Sequence, residues 1–373
     1  MSIKRVIISG GGTGGHIFPA ISIANALKRR DEEVEILFVG AEGKMEMEKV
    51  PNAGYKIIGL PVRGFQRKLS LENISFFWKL YQSMKKARSI IKKFEPDVAV
   101  GVGGFASGPL LNAAAKYKVP SVIQEQNSYA GVTNKILGRK VDRICVAYDN
   151  MGDFFPKEKI VKTGNPVRID LVRNLDKKVE ALKHFNMLGN KRVLLIVGGS
   201  LGALTINNSI KNGLKTLVDN NIQVLWQTGK YYYEDSIKEA KPFLEQGVVV
   251  KDFISRMDYA YAIADIVISR AGASTVSELC LVKKPVIFIP SPNVAEDHQT
   301  KNAMALIKVD AAMMIEDNMA EQQLVEEAVK LIKDDYRIKV YTENIGKLGI
   351  PNSAELIVDE IYKVYEAFNG GKK

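Results

Sequence analysis

The sequence predicts an α/β fold made of two doubly wound parallel-sheet domains facing a central cleft, and three observations lead there. Apolar, strand-like runs alternate with helical stretches along most of the chain. Runs such as 97–102 and 192–197 are apolar without alternation, as strands covered by helices on both faces are. A pattern of strand, glycine loop and helix opens the chain and begins again near Arg192, and 373 residues is long for one core.

Taken in order, Val6-Ile7-Ile8 is the first strand and Pro19 to Arg30 has helical apolar spacing. Between them lies Ser9-Gly10-Gly11-Gly12-Thr13-Gly14-Gly15-His16. Glycines let a backbone turn sharply and let a ligand come close, and the following helix start offers N–H groups to an anion. The order is not that of a P-loop, since no lysine follows the last glycine. A histidine at the end of such a loop can take a proton from a group bound over it, because imidazole titrates near neutrality.

Strands are expected at 34–39 and 55–58, and a long helix from about Glu72 to Phe94, ending before Pro96. The strand 97–102 feeds a second glycine loop, Gly103-Gly104-Phe105-Ala106-Ser107-Gly108-Pro109. Strand 121–123, the polar Glu125-Gln126-Asn127 and strand 143–146 follow, and Gly164-Asn165-Pro166-Val167-Arg168 reads as the turn out of the first domain. Residues 175–190 form a charged connector, in which His184 reads as a solvated surface residue.

The second domain starts with strand 192–197 and a third glycine loop, Gly198-Gly199-Ser200-Leu201-Gly202-Ala203. Strands are expected at 223–226, 248–250, 266–268, 286–289 and 312–315, and closing helices near 320–333 and 353–368. The densest polar run is Arg270-Ala271-Gly272-Ala273-Ser274-Thr275-Val276-Ser277-Glu278. Its small residues would admit a nucleotide, its helix start would face phosphates, and Glu278 could accept from ribose hydroxyls or serve only as a capping acid. The cluster Glu296 to Asn302 suits sugar hydroxyls, although capping by Asp297 would explain part of it.

The expected domain limits are 1–164, 165–350 and a C-terminal helix, 351–373, that packs back on the first domain. Net charge is +11, and all of it belongs to residues 1–164, which hold 26 Lys+Arg against 15 Asp+Glu. One basic partner surface follows, for nucleic acid or an anionic membrane. Between Arg63 and Lys93 nine basic residues and one acid, Glu72, interleave with Phe65, Leu69 and many other apolar residues. Ile74, Phe77, Trp78, Tyr81, Met84 and Ile91 have core-facing spacing, whereas Phe76 and Leu80 fall among Lys79, Lys85 and Lys86 and suit a lipid headgroup layer. Cys145 and Cys280 form no C-x-x-C and no metal pattern, so buried thiols in a reducing compartment are expected. No stretch approaches the length of a membrane span. No H-E-x-x-H, cysteine cluster or D-x-D pair marks a metal, so no cofactor is expected, and a departing diphosphate would be stabilised by positive charge and helix N-termini.

These motifs resemble one family, the peripheral membrane glycosyltransferases that add N-acetylglucosamine to the muramyl-pentapeptide carrier lipid of the bacterial cell wall. The segments that carry the resemblance are Gly11 to Pro19, Gly103 to Pro109, Glu125-Gln126-Asn127, Thr133-Asn134-Lys135, Gly164 to Arg168, Gly198 to Ala203 and Thr275 to Glu278, in the family's order and spacing over nearly the whole chain. The resemblance implies a GT-B fold of two Rossmann-like domains, with UDP-N-acetylglucosamine held mainly by the second. Carried over by position, Thr13, Gly14 and Gly15 lie beside the donor and Asn127 contacts its sugar. Arg168 and Ser200 lie near its phosphates, and Ile254 meets the uracil. Ala273, Ser274 and Thr275 approach the diphosphate, Glu278 holds the ribose and Gln299 reaches the sugar. Gly103, Gly104, Ser107 and Asn134 belong to the acceptor-lipid side.

The implied reaction is inverting transfer to the muramyl C4 hydroxyl, with His16 as the proposed base, kept neutral by the helix start beside it. Domain closure about residues 165–168 is expected. The implied partners are the sugar nucleotide, the undecaprenyl-diphosphate-linked acceptor, the anionic cytoplasmic face of the membrane and cell-wall synthesis proteins, with the roles in cell shape, cell cycle and division that such synthesis carries. The competing readings are another GT-B enzyme, such as a lipid glucosyltransferase or a UDP-N-acetylglucosamine epimerase, a dinucleotide oxidoreductase, which would need G-x-G-x-x-G together with an acid about twenty residues on, and a nucleic-acid-binding protein, for which no recognition motif is present.

Overall fold

Two parallel sheets organise the chain, one in each of two units: residues Met1–Val167 with Pro351–Lys373, and residues Arg168–Ile350. The structure is a computed structural model and describes residues 2–62, 72–167, 170–199 and 201–370, the side chains of 72–75, 173 and 295 excepted. Arg63, Phe65, Arg67, Lys68, Leu69, Arg168, Ser200 and the Ile74 side chain, which carry expectations above, lie outside the described residues.

The first unit's strands are β1 (Arg5–Ser9), β2 (Glu35–Ala41), β3 (Lys56–Leu60), β4 (Val98–Gly101), β5 (Ser121–Glu125), β6 (Arg143–Val146) and β7 (Ile160–Lys162). They pair in parallel in the order β3-β2-β1-β4-β5-β6-β7. Helices α1 (Gly14–Arg30), α2 (Glu46–Asn52), α3 (Glu72–Phe94), α4 (Ser107–Lys116) and α5 (Val132–Gly138) make the crossovers. Val6, Ile8, Val98 and Val100 are wholly buried on one face, and Ile7, Ala99 and Ile123 on the other, which accounts for the unbroken apolar runs. Chain direction across the sheet reverses between β1 and β4, so a crevice for a ligand opens at their carboxyl ends, where two of the glycine loops lie.

The second unit repeats the plan. Its helices α6 (Asp170–Arg173) and α7 (Lys178–Phe185) precede β8 (Arg192–Val197), α8 (Leu204–Asp219), β9 (Ile222–Gln227), α9 (Tyr233–Ala240), β10 (Val248–Lys251), α10 (Met257–Ile263), β11 (Ile266–Ser269), α11 (Ala273–Val282), β12 (Val286–Phe288), α12 (His298–Ile307), β13 (Met313–Met314), α13 (Ala320–Lys333) and α14 (Asp335–Lys347). The sheet order is β10-β9-β8-β11-β12-β13, again all parallel, with its switch point between β8 and β11. The third glycine loop follows β8 and the Arg270 to Thr275 segment follows β11.

The connector does not dangle in solvent. Asn174 Nδ2 donates to Asp258 Oδ2 at 2.7 Å, Tyr259 donates to Glu180 at 3.2 Å, and the Arg256 guanidinium lies 3.5 Å from the Tyr259 ring centroid. His184 is exposed, as the sequence suggests, and meets Tyr259 edge to face at 5.5 Å. The Arg256 hydrogen bond to Asp258, joined by that from Asn174, holds the Asp258 carboxyl down at about 2. A depressed carboxyl stabilises the fold above its ordinary pKa of 3.8 and loses that contribution as pH falls through about 2. Asp258→Asn is therefore expected to cost about 1 kcal/mol at neutral pH, after allowance for solvent around Arg256, and almost nothing near pH 2. Urea unfolding of both proteins across that range checks it.

The last helix, α15 (Ser353–Gly370), belongs to the first unit. Ala354, Ile357, Val358, Ile361 and Val364 share a core with Ile3, Ile23 and Leu27. Arg29 pairs with Glu355 at 2.6 Å, Arg30 pairs with Asp359, and Arg143 reaches the buried Glu360 at 3.2 Å. Ile361 is fully buried, so Ile361→Ala is expected to cost about 2–4 kcal/mol in denaturant unfolding.

The first unit ends three residues later than the expected boundary at 164. Asn165 is buried and accepts from Gln124 Nε2 at 2.8 Å while donating to the Gln126 carbonyl at 2.9 Å. Those bonds tie the turn to the end of β5. The sequence reading also assigns the wrong outer face to α3: Phe77, Trp78 and Tyr81 are 64%, 62% and 60% exposed, whereas Phe76 and Leu80 are half-buried. Spacing reveals an apolar stripe, but it does not say whether protein covers that stripe.

Candidate active site

In the first unit, the loop after β1 is shaped by the loop after β4. Gly104 has φ +86°, and a Cβ there would lie 2.4 Å from the Gly11 carbonyl oxygen, so only glycine lets the two loops meet. Gly103 has φ +99°, and a Cβ there would lie 2.6 Å from His16 Cδ2 and 2.7 Å from Nε2. The imidazole thus occupies the space that the missing side chain leaves. Thr13, in extended conformation, caps α1 and accepts the His16 N–H at 3.1 Å, and its Oγ1 sits 3.3 Å from His16 Nδ1. In the tautomer with the proton on Nδ1, Thr13 Oγ1 accepts and Nε2 is the basic nitrogen. The first turn of α1, which includes Gly14 and Gly15, contains no acid, so its N–H groups present positive potential.

At the end of β5, the buried Glu125 carboxylate accepts from Asn127 N at 3.0 Å and Asn127 Nδ2 at 3.2 Å on one oxygen. Its other oxygen accepts from Gly131 N at 3.0 Å and Asn134 Nδ2 at 2.9 Å. Glu125 therefore fixes Asn127 from behind. Asn134 is buried, and Ser107 is buried with its hydroxyl directed at the Ser9 and Gly103 carbonyls, at 3.0 and 2.8 Å. Both residues brace the loops, and Asn134 Oδ1 is buried without a hydrogen-bond partner.

In the second unit, Gly272 caps α11 in extended conformation, and its first turn, Ala273-Ser274-Thr275, is again free of acids. Ser274 Oγ is buried without a hydrogen-bond partner, which a phosphate oxygen would satisfy. Asp297 caps α12 without using its side chain, so capping does not account for that acid. Glu278 Oε2 accepts from the Tyr261 hydroxyl at 3.2 Å, and burial together with the Glu278 charge pushes the tyrosine well above its usual range. Arg270 donates to the Ile289 carbonyl at 3.0 Å and pairs with Asp317, which also accepts from Thr205 at 3.0 Å. The starts of α8 and α11 are tied together in this way. The Ile254 side chain is buried and its N–H donates to Gln227 Oε1 at 2.9 Å, while Gln299 Oε1 accepts from Ser291 N at 2.9 Å.

Residues 6–146 match the N-terminal domain of glycosyltransferase family 28, and residues 193–356 match the C-terminal domain of that family. A UDP-N-acetylglucosamine–N-acetylmuramyl-(pentapeptide) pyrophosphoryl-undecaprenol N-acetylglucosamine transferase from Parabacteroides distasonis is 58% identical over 97% of this chain and 98% of its own. The chain belongs to this transferase family. A Flavobacterium psychrophilum transferase of the same name is 51% identical over 98% of this chain and 99% of its own. Among solved structures, Acinetobacter baumannii MurG superposes with a TM-score of 0.78 at 28% identity, over 96% of this chain and 99% of that one. A UDP-GlcNAc 2-epimerase from Neisseria meningitidis bound to UDP-GlcNAc reaches 0.66 at 18% identity, over 97% and 100% of the two chains, a likeness of fold alone.

In this family 28 transferase, some of the predicted residues fall at the two switch points, whereas Asn127 follows β5, Ile254 follows β10 and Gln299 stands on α12. Thr13, Gly14, Gly15, His16, Gly103, Gly104 and Asn127 gather in the first unit, and Ser274, Thr275 and Glu278 stand on α11 in the second. Sequence reasoning overlooks Glu46, Tyr261 and the Arg270–Asp317 pair, whose partners are distant in sequence and carry no local motif.

Proposed function

We propose that this chain transfers N-acetylglucosamine from UDP-N-acetylglucosamine to the C4 hydroxyl of the muramyl pentapeptide carried on undecaprenyl diphosphate. What carries the reading is near-full-length identity with transferases of that name, well beyond likeness of fold. The hydroxyl oxygen bonds to the anomeric carbon, the bond to UDP breaks with its electron pair leaving on the diphosphate, and the hydroxyl proton passes to His16 Nε2. Attack opposite the leaving group inverts the centre and gives a β-1,4 linkage. The α11 N-terminus and Ser274 stabilise the departing diphosphate, and Glu278 holds the ribose. Gly14 and Gly15 present N–H groups to the donor, and Asn127, braced by Glu125, meets its sugar. Ile254 and Gln299 set the uracil and sugar ends. Releasing UDP only when the lipid-linked acceptor is supplied tests the assignment; UDP-N-acetylmannosamine formed without acceptor would indicate epimerase chemistry instead.

The same reading puts the enzyme on the inner face of the membrane, although no helix among the described residues is long and apolar enough to cross one. Phe77, Trp78 and Tyr81 are exposed on α3, with Lys79 and Lys85 beside them, and an open groove of about 480 Å³ is lined by Phe77, Leu80, Tyr81, Met84, Lys85 and Arg88. Aromatic rings among cations suit an anionic headgroup layer. Lys86 is partly balanced by Glu42 at 2.8 Å, so it contributes less. Neutralising Lys79, Lys85 and Lys86 together is expected to weaken binding to anionic vesicles by roughly 10- to 100-fold, since each near-surface cation contributes about 1 kcal/mol. Sedimentation with such vesicles at low and high salt measures it, and unchanged binding contradicts this docking face.

A further inference from the structure

We propose that Glu46 is a positioning residue for the transfer step, acting through the first glycine loop on His16. The inference rests on the reading of His16 as the base. Glu46 is 1% exposed, at the start of α2. Its Oε2 accepts from Gly12 N and its Oε1 from Ala41 N, both at 2.9 Å. A Cβ on Gly11 would lie 2.1 Å from Oε1, and one on Gly40 would lie 2.5 Å from Cγ, so the side chain fills the room that two glycines leave. The carboxylate thereby fastens the catalytic loop to the end of β2.

The consequence for the base is direct. Gly12 adjoins Thr13, and Thr13 caps α1, accepts the His16 and Ile17 N–H groups at 3.1 and 3.2 Å, and places Oγ1 against His16 Nδ1. A shift at Gly12 moves the residue that orients the ring. Burying an acid costs free energy unless both oxygens are satisfied, and here two backbone donors, one in the first glycine loop and one at the end of β2, satisfy them. Only a carboxylate offers two acceptor oxygens at that spacing. An amide accepts through one and sets an NH2 group against the other N–H.

Glu46→Gln is therefore not a silent isostere. It is expected to lower kcat by roughly 10- to 100-fold while the donor KM changes less than about threefold, because transition-state alignment suffers more than ground-state binding. In a His16→Ala background the same substitution should bring less than about a threefold further loss, since positioning a base has no effect once the base is gone. A wild-type kcat for Glu46→Gln, or an equal loss in both backgrounds, overturns the inference. The base reading fails separately, if His16→Ala alone keeps its turnover; nitrogen NMR of the His16 ring then decides for Glu46, a changed tautomer or titration in Glu46→Gln supporting positioning and an unchanged one overturning it. Should Glu46→Gln not fold, Glu46→Asp, which keeps the charge but reaches one N–H at a time, is measured in the same way.

Discussion

His16→Ala is expected to lower kcat by about 100- to 10,000-fold, with the donor KM nearly unchanged, because general-base assistance to a weak alcohol nucleophile acts on the transition state alone. Thr13 Oγ1 lies 3.3 Å from Nδ1, and the ring sits where a Gly103 side chain would stand. In the tautomer with the proton on Nδ1, Thr13 Oγ1 accepts from it and the basic position is Nε2. Loss of the acid limb of the pH–rate profile in His16→Ala should accompany the fall in kcat, since protonating the imidazole removes the base. Near-normal turnover by the variant at saturating substrates would remove His16 from the mechanism.

The second large effect is expected at Glu278. Glu278→Ala should raise the donor KM by about 10- to 150-fold with little change in kcat, as loss of a charged hydrogen-bond partner to the ribose removes about 1.5–3 kcal/mol of binding common to ground and transition states. Glu278 also accepts from the buried Tyr261 hydroxyl at 3.2 Å, so alanine strands that hydroxyl. Glu278→Gln keeps an acceptor for the tyrosine and isolates the charge; it should show a smaller rise in KM and a melting temperature closer to the parent. A donor KM untouched in both variants would mean that the ribose is held elsewhere.

Much of the architecture is legible before any coordinates. The buried parallel strands announce themselves as apolar runs, and the glycine loops mark both switch points because close backbone approach leaves glycine little substitute. β7 is harder to see, since three residues at a sheet edge carry no period. The outer face of α3 is misread for a related reason: Phe77, Trp78 and Tyr81 have the spacing of a core stripe, and the chain alone does not say what covers it. The site divides in the same way. His16 and Glu278 stand inside local motifs and can be picked out, whereas Glu46 and Tyr261 act on residues 34 and 17 positions away. Ser107 and Asn134 also stand in local motifs, and their hydrogen bonds to neighbouring loops, which no motif announces, become visible only in the fold.

The most direct measurement supplies the purified protein with lipid-linked muramyl pentapeptide in anionic vesicles and, in turn, UDP-N-acetylglucosamine, UDP-glucose and UDP-N-acetylgalactosamine. UDP release and a β-1,4-linked disaccharide lipid with the first donor, and little product with the other two, is the predicted result. Transfer from UDP-glucose at a comparable rate, or turnover of the sugar nucleotide with no acceptor present, would contradict it.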